Sequence, residues 1–231
     1  MLTWEEAQSF NRLAERYDRL AELTDDPVGV WLPSVLADDP PVRRTGALDL
    51  GCGAGRHAVV LAEHFEHVDA VDLSGAMIRL ARRKRARGNI SYLETDLDTI
   101  DGQYDLVLSA ATLHHVDDLL KALIRIKAAA APGGRVVLVD TVSPRAANPR
   151  WRLYANELRK LLRNVVRRGP REAWEIFQLS TGPWLDHRVS DRYLSREQFE
   201  QRYAEVFPHA TFVRVGNAHA MVWDVRTSAA S

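Results

Sequence analysis

The sequence lacks the features that would place it in several classes of protein. It has a single cysteine, Cys52, which excludes an internal disulfide framework and predicts a cytoplasmic location. No stretch approaches the roughly 20 apolar residues of a membrane-spanning helix, and the acidic, amphipathic N-terminus does not predict a signal peptide. Lysine plus arginine and aspartate plus glutamate both number 31, so net charge indicates no polyanionic partner.

Two common nucleotide-binding motifs are absent as well. No Gly-Lys pair is followed by Ser or Thr, which excludes a phosphate-binding P-loop. A glycine-rich stretch does occur in ALDLGCGAGR, where the glycines are Gly51, Gly53 and Gly55. Their spacing is not that of a dinucleotide fingerprint, because Arg56 stands where that fingerprint has its third glycine.

The glycine-rich stretch nevertheless has the context of a ligand-binding loop. It follows an apolar run over 47–50 that predicts a buried strand, and it precedes a helical periodicity over 58–65. Glycines at this spacing let the backbone pass close to a ligand, so we expect a nucleotide-like cofactor here. Cys52 lies inside the loop, where we interpret it as a packing residue rather than a nucleophile.

The rest of the chain alternates predicted strands and helices, which favours a mostly parallel sheet covered on both faces. The sequence predicts five strands near residues 46–50, 67–72, 90–95, 104–109 and 134–140, helices over 4–23, 28–37 and 195–205, and a closing antiparallel hairpin over 210–216 and 218–225.

We interpret the chain as a single domain in three parts. Residues 1–41 form N-terminal helices that close the cofactor pocket. Residues 42–143 and 193–231 form the core. Residues 144–192, rich in arginine and aromatic residues, form a helical cap over the substrate after the fifth strand.

Further segments follow the glycine loop in the order that one protein family requires. HVDAVDLS carries Asp72, ISYLETDLD carries Asp96, and YDLVLSAATLHHVDD carries Ser109, before APGGRVVLVD closes the series. Together these segments resemble the motifs of class I S-adenosylmethionine-dependent methyltransferases over residues 46–140. The resemblance implies an α/β fold with a Rossmann-like, doubly wound, seven-stranded, mostly parallel sheet and an antiparallel last strand. It also implies S-adenosylmethionine as the cofactor and S-adenosylhomocysteine as the product.

The resemblance assigns cofactor contacts to each motif. Asp72 is expected to accept hydrogen bonds from both ribose hydroxyls. Asp96 is expected to accept one from the adenine amino group, and Leu73 and Met77 are expected to pack on the adenine. Tyr17, in AERYDRL, resembles the tyrosine that many small-molecule methyltransferases place against the methionine end. The other expected contacts lie in the glycine loop and at strand ends, and they are Asp49, Gly51, Cys52, Gly53, Gly55, Arg56, Leu97 and Ser109.

Histidines are the candidates for a general base. Methyl transfer requires an acceptor held in line behind the methyl group, and a base when that acceptor is a neutral hydroxyl or an acidic carbon. Histidine suits this task because its pKa lies near neutrality. His114 and His115 directly follow the fourth predicted strand, and His187 lies in the predicted cap. Each has a structural alternative, as a hydrogen-bonded residue under the loop or as part of a surface network.

The acceptor is expected to be a small molecule, with O- or C-methylation favoured. The chain has Ser-Ala-Ala-Thr at 109–112, where N-methyltransferases acting on bases and glutamine commonly have Asn-Pro-Pro-Tyr or Asp-Pro-Pro-Tyr. No residue spacing indicates a metal site, so metal-independent transfer is expected. We expect no nucleic-acid or membrane partner, and a monomer or homodimer.

The composition of the predicted cap indicates which kind of acceptor it would bind. Its arginines and lysine favour a phosphorylated or carboxylated substrate, with RNA as a less favoured alternative. Its aromatic residues are expected to build the cap interior, with one or two facing an apolar or aromatic substrate. They are Trp151, Tyr154, Trp174, Phe177 and Trp184.

A second hypothesis has the fold recruited for another task, as a cofactor-retaining cyclase or pericyclic catalyst or as a non-catalytic regulatory subunit. The fold alone does not separate this hypothesis from methyl transfer.

Overall fold

The computed structural model describes residues 4–38, 43–144 and 149–225. Its strands are β1 (Gly46–Leu50), β2 (His67–Asp72), β3 (Ile90–Glu94), β4 (Tyr104–Ala110), β5 (Ala130–Thr141), β6 (Thr211–Val215) and β7 (Ala218–Asp224). They form one sheet in the order β3-β2-β1-β4-β5-β7-β6. Strands β1 to β5 pair in parallel, whereas β7 is antiparallel to both of its neighbours. The predicted fold class is confirmed.

The helices alternate with the strands as predicted. They are α1 (Trp4–Leu23), α2 (Pro27–Asp38), α3 (Arg56–Leu61), α4 (Gly75–Lys84), α5 (Leu119–Ala129), α6 (Arg150–Arg168), α7 (Pro170–Thr181), α8 (Pro183–Ser190) and α9 (Arg196–Val206). Helix α3 ends earlier than predicted, because Glu63 and His64 donate to carbonyls only three residues back and tighten the chain into turns. No helix within the described ranges is long and apolar enough to cross a bilayer.

The central strands are apolar on both faces because helices cover the sheet on both sides. Ala47 and Leu106 pack in the cluster that contains residues of α2 and α3. Leu48 and Val107 pack in the opposite cluster, with residues of α5 and α9. Leu50 is in register with both Val71 and Ser109, so the carboxyl ends of β1, β2 and β4 lie level at one edge.

Helices α6 to α8 lie between β5 and α9. We define residues 149–191 as the helical insertion. Helix α6 packs mainly on α7 and α8, and these two helices contact α1. The expectation that the aromatic residues build its interior is wrong for Trp151, Tyr154 and Trp174, which are exposed. The described residues cover α6 on one side only, and Trp151 lies on the face opposite the buried Leu153.

Candidate active site

The glycine loop turns sharply between β1 and α3. Gly51 and Cys52 both donate their backbone N–H to the carbonyl of Val71, at 2.9 Å. Gly51 has φ +71°, and a Cβ there would come within 2.2 Å of Thr112 Oγ1. Gly53 has φ +52°, but a Cβ there would meet nothing within 4 Å. Gly51 is therefore required for packing, whereas Gly53 leaves open space beside the loop.

Asp72, at the end of β2, holds the loop from the neighbouring strand. Its carboxylate accepts the backbone N–H of Gly53 and that of Ser74, both at 2.8 Å. Desolvation raises the pKa of Asp72. The residue lies in the wall of two adjoining cavities, and Gly51, Leu73 and Thr112 also line both. Asp72 thus stands at the junction between the two cavities.

The first cavity combines apolar walls with carboxylates. It encloses about 520 Å³, including space open to solvent, and its walls contain Leu73, Asp96 and Leu97. One oxygen of Asp96 accepts the N–H of Asp98 at 3.2 Å and so caps the short turn that follows β3. The predicted adenine contacts meet here, except for Met77, which is buried in the wall of the second cavity.

The second cavity is larger, at about 1130 Å³ including space open to solvent, and it lies between α1 and the glycine loop. Its walls contain Tyr17, Cys52, Gly53 and Arg56 among the predicted residues. Burial raises the pKa of the Cys52 thiol, in keeping with a packing role. Burial also raises the pKa of Tyr17, which keeps its phenol neutral.

Arg56 ties the loop to the N-terminal helices. Its guanidinium donates to the carbonyl of Ala21 at 2.8 Å and pairs with Asp26 at 3.1 Å. Desolvation alone would raise the pKa of Asp26. It is outweighed by hydrogen bonds from His57 and the Gly29 N–H and by the positive charges of His57 and Arg56, which hold this pKa well below its usual range. Neither the sequence motifs nor their spacing indicated Asp26, which also lines the second cavity.

Three predicted cofactor contacts, Asp49, Gly55 and Ser109, line neither of the two cavities. The Ser109 hydroxyl donates to the carbonyl of Leu50 at 3.0 Å, inside the sheet. Gly55 begins α3 with φ +82° and lies against Tyr92. Burial raises the pKa of Asp49 to about 6, and within the described residues its Oδ2 has no hydrogen-bond partner. Their assignment as cofactor contacts stays a prediction.

His115 lines the second cavity, and it is buried. Its Nδ1 lies 3.9 Å from Oδ1 of Asp191, a buried residue at the end of the helical insertion. The same oxygen lies 3.8 Å from Nε2 of His187. Tyr193 donates its hydroxyl to the other oxygen of Asp191 at 2.5 Å. The carboxylate is thus oriented towards two of the predicted histidines.

Aromatic rings surround these two histidines. The rings of His115 and His187 have centroids 5.2 Å apart, and Phe10 packs edge-on against both. Trp184 stacks on His187 at 5.0 Å and lies 4.8 Å from Tyr17. Phe10 and Asp191 were not predicted as site residues, because neither belongs to a recognisable motif.

His114 points elsewhere. Its Nδ1 shares a hydrogen bond of 2.6 Å with Oδ1 of Asp140, and its ring packs on Tyr193. It lines an adjoining cavity beside α9, which shares His115 and Asp140 with the second cavity, but it does not line the second cavity itself. This arrangement favours the structural alternative for His114.

Ligand-capable atoms of His114, His115 and Asp191 lie within 4.8 Å of one another. Imidazole nitrogens and a carboxylate oxygen are ligand types that zinc takes, so this group could hold a metal ion. Metal-independent transfer stays a prediction.

Comparison with known proteins identifies the fold and the motifs. Residues 48–138 match the family described as Methyltransferase domain. The chain is 35% identical over 116 residues to an uncharacterised methyltransferase of Mycobacterium tuberculosis, a match that covers 49% of this chain. The match to the methyltransferase model covers the part of the chain that holds the glycine loop, Asp72 and Asp96. The match spans only 59% of the length of that relative.

Two further similarities cover more of this chain. A demethylmenaquinone methyltransferase of Clavibacter sepedonicus is 27% identical over 199 residues, which is 82% of this chain and 80% of the relative. The structure of magnesium protoporphyrin IX methyltransferase from Synechocystis has a TM-score of 0.59 at 17% identity, and the match covers 95% of this chain and 97% of that one.

The residues present fit S-adenosylmethionine, the cofactor that the resemblance to class I methyltransferases implies. The cofactor carries positive charge on its sulfonium and amino groups, and the carboxylates of Asp26, Asp72 and Asp140 line the second cavity. The open space beside Gly53 admits a ligand against the loop backbone. Asp72 would hold the ribose at the junction of the cavities, with the adenine beside Asp96 and the methionine end beside Tyr17.

Proposed function

We propose that this protein transfers the methyl group of S-adenosylmethionine to oxygen or carbon of a small-molecule acceptor, with His115 as the general base. The observation that carries the proposal is that His115 shares one cavity with Tyr17, Gly53 and Asp72. A base and the methionine end of the cofactor would then face the same space.

Asp191 supports His115 as the base among the three histidines. When the imidazole of His115 takes the acceptor proton, the carboxylate 3.9 Å away stabilises the resulting positive charge. His187 approaches the same carboxylate without lining the second cavity, so we assign it a positioning role. His114 is bonded to Asp140 and serves the packing of the loop after β4.

The helical insertion and α1 would exclude water from the reaction. Phe10 and Tyr17 line the second cavity, and Trp184 packs against both of these rings and on His187. Cofactor S-adenosylmethionine supplies an activated methyl group when bound. The enzyme has only to orient the acceptor behind it and to accept a proton.

An aromatic acceptor with an ionisable hydroxyl or an acidic ring carbon is consistent with these walls. Phe10, Val28 and Val139 contribute apolar surface to the second cavity. The relatives named demethylmenaquinone methyltransferases support a quinol-type ring as the acceptor.

The test is methyl transfer from labelled S-adenosylmethionine to a panel of phenols, catechols, naphthols and prenylated naphthoquinols. We expect labelled product and S-adenosylhomocysteine with at least one acceptor. His115→Asn should lower turnover by about 10²–10⁴-fold while the affinity for S-adenosylhomocysteine, measured by calorimetry, stays within about twofold.

The matched control is His67→Asn, a half-exposed histidine at the amino end of β2. Its turnover should equal that of the unmodified protein. Tight binding of S-adenosylhomocysteine with no transfer to any acceptor would overturn the proposed function. Unchanged turnover in His115→Asn would remove His115 from the role of base.

A further inference from the structure

Helix α6 exposes a continuous apolar stripe. Of its side chains only Leu153 and Glu157 are buried, whereas Trp151, Leu162 and Val166 are 70%, 73% and 86% exposed. Tyr154, Leu158 and Val165 are also exposed. These residues recur at intervals of three and four, so they share one face of the helix.

Helix α7 extends the stripe. Trp174, 52% exposed, stacks on Phe177 with ring centroids 5.5 Å apart, and Phe177 contacts Tyr154 at 5.8 Å. We define the outer face of the insertion as Trp151, Tyr154, Leu158, Leu162, Val165, Val166 and Trp174. A contiguous exposed apolar patch of this kind indicates a binding surface.

Positive charge borders the outer face. Between Arg150 and Arg171 the sequence has eight basic residues and one acidic residue, Glu157, although the whole chain has a formal net charge of zero. Glu157 is buried and bonded to Lys160 and Arg188. Arg150, Lys160 and Arg168 form ion pairs. The other five basic residues form no ion pair with a carboxylate of the described ranges, and they are Arg152, Arg159, Arg163, Arg167 and Arg171.

We propose that the outer face is an interfacial membrane-binding element that docks this protein on bilayers containing anionic lipid. The apolar stripe would enter the boundary between headgroups and acyl chains, and the flanking arginines would contact lipid phosphates. Because no described helix can cross a bilayer, the binding would be peripheral. This proposal differs from the sequence-based expectation of no membrane partner.

The charge pattern favours a membrane over other occupants. In a symmetric dimer through this face, the basic flanks of two copies would repel each other. A nucleic acid would use the arginines but leave Trp151, Leu162 and Val166 in water. An anionic bilayer satisfies both the apolar stripe and its basic border.

The test is sedimentation of the full chain with vesicles at about 0.1 M salt, without cofactor or acceptor. Vesicles of phosphatidylcholine with 30% phosphatidylglycerol are compared with vesicles of phosphatidylcholine alone. We expect binding to the anionic vesicles, at least tenfold weaker binding to the neutral ones, and a fivefold or greater loss for Arg159→Gln combined with Arg163→Gln.

The apolar contribution is tested with Leu162→Gln combined with Val166→Gln, which should weaken binding to anionic vesicles at least tenfold. The matched control is Leu120→Gln combined with Ile124→Gln, because both of these α5 residues are 54% exposed. The control should bind as the unmodified protein does. All four positions are exposed, so the variants are expected to fold, as circular dichroism would verify.

Several outcomes would overturn the proposal. No binding to anionic vesicles would do so, as would equal loss in the apolar variant and its α5 control. A dimer in sedimentation velocity that Leu162→Gln with Val166→Gln dissociates would assign the face to self-association. Oligonucleotide binding that depends on Arg159 and Arg163 but not on Leu162, with no vesicle binding, would assign it to nucleic acid. Vesicle binding requires no methyl transfer, so its failure is distinguishable from failure of the proposed function.

Discussion

The carboxylate of Asp191 lies 3.9 Å from Nδ1 of His115 and joins the helical insertion to the loop that follows β4. Both side chains are buried, and Tyr193 orients the carboxylate by donating its hydroxyl to the second oxygen. A residue of the insertion therefore contributes directly to the environment of the proposed base.

Asp191→Asn should lower turnover by about 10–100-fold, because the neutral amide no longer stabilises the imidazolium that forms on His115. Affinity for S-adenosylhomocysteine should be unchanged in calorimetry, since Asp191 lines neither cofactor cavity. Tyr193→Phe, which retains the carboxylate and removes one hydrogen bond, serves as the milder comparison. Equal turnover in Asp191→Asn and the unmodified protein would contradict this role.

Asp72→Asn should weaken the binding of S-adenosylhomocysteine by about 1.5–3 kcal/mol, or roughly 10–150-fold. The substitution removes the charge from an acceptor that is placed to bind the ribose, and charge-assisted hydrogen bonds are worth about this much. Asp69→Asn, on the same strand but bonded to Tyr104 and His67, is the control and should bind normally. An unchanged dissociation constant for Asp72→Asn would exclude Asp72 from the ribose contact.

Gly53→Ala and Gly51→Ala should affect different properties. Gly53→Ala places a methyl group in open space at φ +52°, so it should lower the free energy of unfolding by only about 1–2 kcal/mol while weakening cofactor binding. Gly51→Ala has the same backbone strain and also collides with Thr112, so its melting temperature should fall further. Thermal unfolding and calorimetry measure the two effects. Normal cofactor affinity in Gly53→Ala would show that the cofactor does not approach this part of the loop.

Asp49 should make stability depend on pH in a defined window. Its folded pKa of about 6 lies above its unfolded value, so the folded state binds more protons between about pH 4 and 6. The free energy of unfolding should therefore fall as pH rises through that window, by about 3 kcal/mol in all, and this contribution should level off above it.

Asp49→Asn should remove this contribution to the pH dependence. Urea unfolding of both proteins at pH 4, 5, 6 and 7 measures the difference, which isolates Asp49 from the other titrating groups. Parallel curves across the four pH values would contradict the assignment.

Local pattern was sufficient to predict much of the fold and the cofactor side of the site. The periodicity of residues 4–23 predicted α1 at both ends, and the apolar runs predicted β1 and β2 with their observed bounds. Gly51, Gly53 and Asp72 meet at one edge because parallel strands bring their carboxyl ends together there. A site residue at that edge can therefore be predicted from the short segment that contains it.

The sequence by itself determined the elements, their order and the glycine loop, because these depend on spacing within a few residues. Only the tertiary structure decided which histidine faces the cavity, that Asp191 approaches it, that Ser109 bonds within the sheet, and that Trp151 faces outward. These relationships depend on how segments far apart in the chain pack, and on which side of each helix its neighbours cover. No local periodicity contains that information.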